Sequence, residues 1–171
     1  MSQQVSLLAS KVASLIAIGL WGEVRFLVRA AIATGDLRTN VVETDSGRHE
    51  IRVGTAMVRA HLLENAQCWI GGALAADSAV HLDDTGSKWT VSYAVPLKNP
   101  DSQAGHPLAL NWIGTGLEEE AIVRVLRKTV DDVGADAQAT HKLANTEKFV
   151  RAVYTAQSFA PFEVPAEQTG R

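Results

Sequence analysis

The sequence predicts an α+β domain: a small antiparallel sheet packed with about four helices, opened by a long N-terminal helix. Three observations lead there. Apolar residues recur at three- and four-residue spacing towards both ends of the chain, which is the helical period. Trp89, Val91, Tyr93 and Val95 alternate strictly with Lys88, Thr90, Ser92 and Ala94, which is the period of a strand with one wet face. The inferred order, αββαβββαα, is not the regular βαβ alternation of a parallel sheet.

The first helix is expected over residues 2–33. Val5, Leu8, Val12, Leu15 and Ile16 fall on one face, and Gly35 suits its C-terminal cap. Gly19 and Gly22 lie inside it, each costing about 1 kcal/mol relative to alanine. They imply a break near Leu20-Trp21 or a close approach by another backbone, and the break is the preferred reading. Two strand-like runs follow, 37–44 and 48–54, joined by Asp45-Ser46-Gly47 with hairpin-turn chemistry.

A second helix is expected over 55–75, with Met57, Val58, Leu62, Ala66, Trp69 and Ile70 as its buried stripe and Gly71-Gly72 able to end it early. The alternating run at 88–96 should pair with Val80-His81-Leu82 as a hairpin, and 107–113 should add a further strand. Residues 96–106 read as a long loop. Helices at 116–134 and 137–158 close the domain, with Leu143, Val150, Val153 and Tyr154 turned inward. The domain is assigned to 1–159, and 160–171, with two prolines and no periodicity, to an extended tail.

Composition bounds the function. The chain has 171 residues, 46% of them apolar, and a formal net charge of −3, so a general attraction to nucleic acid is not expected. The single cysteine, Cys68, fits a reducing, cytoplasmic setting. The uncharged run at 12–22 is shorter than the roughly 20 residues of a membrane span. No membrane partner is expected.

The stretch Gly114-Thr115-Gly116 invites a phosphate-loop reading, but G-x-x-x-x-G-K-S/T and G-x-G-x-x-G are both absent. Glu118, Glu119 and Glu120 would repel a phosphate there. Thr115 to Glu118 instead reads as a capping box, and Gly134 as the helix end. His61, Glu64, Asn65 and Cys68 could share a helix face. They offer only two zinc-type ligands, and His61 does not reach the Cys68 sulfur, so no metal, cofactor or nucleophile is assigned. Arg25 and Arg29 could make a basic face, which Glu23 interrupts.

The surplus of apolar residues is more informative. Leu7, Ile18, Leu20, Trp21, Val24, Leu27 and Val28 lie partly off the first helix's main stripe. A helix apolar nearly all round must be buried nearly all round. A second copy or another protein chain is the economical cover. The expected function is therefore a non-catalytic interaction or assembly subunit rather than an enzyme, with Leu20, Trp21, Val24 and Leu27 as the contact. The alternative is a small-ligand sensor or enzyme that uses the 96–106 loop, with His106, Lys98 and Asp101 as its polar groups.

Overall fold

A computed structural model describes residues 2–21, 26–84, 88–99, 106–113, 118–134 and 136–158. Helix α1 (Ser2–Trp21) leads into β1 (Arg29–Ile32), the hairpin β2 (Arg38–Thr44) and β3 (Gly47–Val53), then α2 (Thr55–Ala66). Strand β4 (Gly71–Leu74), a 3₁₀ turn (Ala76–His81), β5 (Thr90–Val91), β6 (Leu108–Leu110), α3 (Glu119–Asp132) and α4 (Ala137–Ser158) complete the chain. The α+β class is as the sequence predicts. The proposed tail lies outside the described residues.

The central sheet runs β1-β4-β6-β5. It is mixed, because β1 pairs with β4 in parallel while the other pairs are antiparallel. Ile32, Leu74 and Leu110 on one face pack against Val5 and Ala9 of α1. On the other face Ala31, Ala73 and Ala109 stand in register, a row of small side chains. The larger cluster beyond joins Trp69, Trp112, Leu126 and Phe149. Phe149 meets Trp69 edge-on, ring centroids 4.7 Å apart, a favoured aromatic geometry.

Several expectations change. The described N-terminal helix spans Ser2–Trp21, and residues 29–32, read as its continuation, are a strand. Gly19 shows why: a Cβ there would meet the Phe26 ring at 2.9 Å, and the Phe26 amide donates to the Gly19 carbonyl at 2.8 Å. The close backbone approach is realised at this glycine, and the described helix runs two residues past it to Trp21. Gly35 caps no helix and lies in the connection to the hairpin. The second helix ends at Ala66, nine residues early, because Gly71–Leu74 is recruited as β4. Met57, Val58 and Leu62 are exposed, and Leu63 carries the helix's buried contact.

Residues 80–82 form no hairpin with the alternating run. Residues 76–81 are a 3₁₀ turn, and Thr90-Val91 pairs with β6 instead. The alternation still reports facing correctly: Trp89, Val91, Tyr93 and Val95 all pack on the core. Glu118 is the N-cap of α3, with extended backbone, so it cannot be the third residue of a capping box begun at Thr115. Thr115 and both of its glycines lie outside the described residues. Gly134, at φ 82°, ends α3 as expected, and Val133 just before it is exposed.

Helices α3 and α4 are stapled by a two-pronged ion pair, Arg127 Nε to Glu147 Oε1 at 2.7 Å and Nη2 to Oε2 at 2.8 Å. The hydrogen bond from Arg127, outweighing the opposing effect of burial, holds the Glu147 carboxyl below its ordinary value. A depressed carboxyl stabilises the fold above its unfolded-state pKa, and that stability is lost as pH falls through the folded one. Arg127→Ala should therefore lower Tm at neutral pH, and the gap to wild type should close in acid below the ordinary glutamate range. Thermal melts across that range check it. A gap independent of pH would refute this assignment.

Candidate functional site

Helix α1 lays one face on the sheet and leaves the other uncovered. Val5, Ala9, Ala13, Ile16 and Leu20 are buried. Leu7, Leu8, Leu15, Ile18 and Trp21 are exposed, with Leu7 at 55%, Leu15 at 49% and Ile18 at 61%. At 3.6 residues per turn these five span an arc of roughly 140° opposite the buried stripe. Lys11 is the single charge within that arc. Isolated exposed apolar residues are ordinary, but a contiguous set on one helix face marks a contact surface.

The expected contact residues divide. Leu20 is 3% exposed and belongs to the core with Ile16 and Trp69. Trp21 lies on the open face. Leu27 is half-buried and packs against the core, and Val24 lies outside the described residues. The sequence carried one helical phase through Gly22, where the described helix has already ended. On that phase the four expected residues centre more than a third of a turn from the open arc.

The hairpin is the second unusual surface. All seven residues of β2 and all seven of β3 are exposed, and among the described residues the pair joins no larger sheet. Val41, Val42, Ile51 and Val53 are apolar residues on this arm. A lone two-stranded ribbon is marginally stable in water. Its base is pinned, however. The Asp36 amide donates to Thr55 Oγ1 at 2.9 Å, and Arg59 Nη1 donates to the Thr34 carbonyl at 2.7 Å. A Cβ on Gly54 would lie 2.1 Å from the Asp36 oxygen, so only glycine lets the two ends of the arm approach. Leu8 of α1, Leu37 at the arm's base and Arg59 of α2 line one groove of about 600 Å³, so the two surfaces adjoin.

The polar candidates are dispersed. Lys98 and His106 are both exposed, and Asp101 lies outside the described residues. The start of their loop is tied down: the Cys68 amide donates to Pro96 O at 2.7 Å and the Lys98 amide to Ala66 O at 2.8 Å. A cleft of about 430 Å³ opens elsewhere, between Val28, Arg29, Glu64, Asp136 and Lys142. There Arg29 is ion-paired with Glu64 and also reaches the Gln67 carbonyl at 3.3 Å. Its charge is thus committed to the fold, and Arg25, its proposed companion on a basic face, lies outside the described residues.

On α2, Asn65 bonds His61 at 2.9 Å, while Glu64 turns to Arg29. Cys68 is buried, and its Sγ lies 3.9 Å from Nδ1 of His141. The sequence missed this pair because 73 residues separate its members. No local pattern signals such a contact. Among the described residues no three metal-ligating side chains gather.

By length and composition alone, Gln3–Trp21 could cross a membrane, with mean hydropathy 1.5. The uncharged run at 12–22 is only part of this apolar helix. Spanning would strip Val5, Ala9, Ala13, Ile16 and Leu20 from the core that they fill. Comparison with known proteins finds no matching family, no similar curated protein and no similar solved structure.

Proposed function

We propose that this chain is a non-catalytic assembly subunit that self-associates through the outer face of α1. The observation that carries the reading is the apolar arc of Leu7, Leu8, Leu15, Ile18 and Trp21, left open on a helix whose other face is core. Covering it removes apolar area from water at about 25 cal/mol per Å² before the costs of association. Trp21 supplies the large flat side chain common at interface centres. A second copy is the partner because each chain brings the same self-complementary surface, as two-fold contacts require.

Leu15→Asp with Ile18→Asp tests this. Both side chains are exposed, so folding should change little, whereas carboxylates inside an apolar contact cost several kcal/mol. The double variant should run as an 18.3 kDa monomer with unaltered far-UV circular dichroism. An unchanged larger mass would place the contact elsewhere. A monomeric wild type that binds lipid vesicles would replace the protein partner with a membrane surface.

A further inference from the structure

We infer that the β2–β3 arm pairs edge to edge with the arm of a second copy, β3 against β3, with Ile51 opposite Ile51. This deepens the assembly reading and takes from it the identity of the partner. The arm offers two unpaired strand edges, the usual template for strand addition by another chain. Symmetry then restricts the choices. Residues opposite each other in an antiparallel pair share a face, and successive residues alternate faces. A strand that pairs with its own copy about a two-fold axis must therefore set one residue opposite itself.

Charge, together with the extent of the strand, selects among these registers. Centring β3 on Glu50 would oppose Glu50 to Glu50 and Arg48 to Arg52. Centring it on Arg52 would oppose two arginines. Centring it on His49 also opposes Arg48 to Glu50 twice, but it places Arg52 and Val53 against the turn residues Ser46 and Asp45, outside the strand. Centring it on Ile51 sets Glu50 against Arg52 of the second copy twice, and Val53 against His49 twice, with all of these residues inside the strand. Opposite charges directly across strands stabilise, and like charges destabilise.

Strand β2 offers no equivalent. Arg38 could meet only Glu43, and those two residues lie on opposite faces. Within one chain Arg52 already contacts Glu50 at 3.2 Å on the face that the pairing would share. The Ile51-centred register would complete a square of four charges of alternating sign around it.

Cysteine cross-linking on the full chain, in a Cys68→Ala background, tests the register. Residues opposite each other in an antiparallel pair have Cβ atoms about 4.5–5.5 Å apart, close to the roughly 3.5–4.5 Å that a disulfide spans. Under mild oxidation Ile51→Cys should give covalent dimers, and Val80→Cys, on the exposed 3₁₀ turn, should not. His49→Cys should cross-link to Val53→Cys when the two variants are mixed. Adding Glu50→Arg should cut the Ile51→Cys yield several-fold, and adding Arg52→Glu to that chain should restore it.

Dimers through His49→Cys alone, or no rescue by the charge swap, would overturn the register. If Ile51→Cys gives no dimer while the protein still self-associates and Leu15→Asp/Ile18→Asp dissociates it, the arm contact is wrong and the α1 contact stands. If cross-linking survives that double variant at undiminished yield and the mass is unchanged, the arm assembles the protein without α1.

Discussion

Leu20→Asp should leave the chain largely unfolded at room temperature, while Trp21→Asp, one residue on, should leave it folded. The two positions are adjacent in sequence and lie about 100° apart on the helix. Leu20 is 3% exposed and joins Ile16 and Trp69 in the main core. Removing a buried leucine side chain costs about 2–5 kcal/mol. The aspartate adds the desolvation of an unpaired charge, again several kcal/mol. A domain of this size holds only about 5–15 kcal/mol in total. Trp21 is 39% exposed, so an aspartate there keeps its water. Thermal melts with far-UV circular dichroism separate the outcomes. A folded Leu20→Asp protein would contradict the placement of α1 on the sheet.

Gln67→Leu should lower Tm by about 10 °C, a large effect for one polar side chain without charge. Gln67 is fully buried and lies just before β4. Its Nε2 donates to the Ala30 carbonyl at 2.9 Å, and its Oε1 accepts from the Trp69 indole at 2.7 Å. One side chain thus ties β1 to the segment entering β4 and orients the largest ring of the core. Leucine fills similar space but leaves two buried polar groups without partners, at about 1–3 kcal/mol each. At roughly 2–4 °C per kcal/mol for this chain length, the sum gives the stated shift. A melting point within 2–3 °C of wild type, a loss below about 1 kcal/mol, would mean that water satisfies both groups.

The sequence was most readable where local chemistry decides structure. Helix α4 was legible at both bounds, and the hairpin was readable because Asp45-Ser46-Gly47 can hardly do anything else; Gly47 has φ 120°. Residues 29–32 were not. Arg-Ala-Ala-Ile suits a helix, and it becomes a strand only because β4, some 40 residues later, accepts it in parallel. Strands of two to four residues are too short to show a period. The candidate surface was half legible. An excess of apolar residues on the first helix was visible, and Trp21 was placed on it. Leu20 was assigned to the wrong face because Leu8 and Leu15, which are exposed, were counted in the buried stripe, which rotated it away from Leu20. The hairpin was visible as a hairpin, but nothing in its sequence says that no other element covers it.

The most direct test of self-assembly is the absolute mass of the wild-type chain by size-exclusion chromatography with light scattering, over a range of dilutions. One chain weighs 18.3 kDa. The proposed α1 contact predicts a stable multiple of that mass, falling towards the monomer only on dilution. A mass of one chain at every concentration would contradict it.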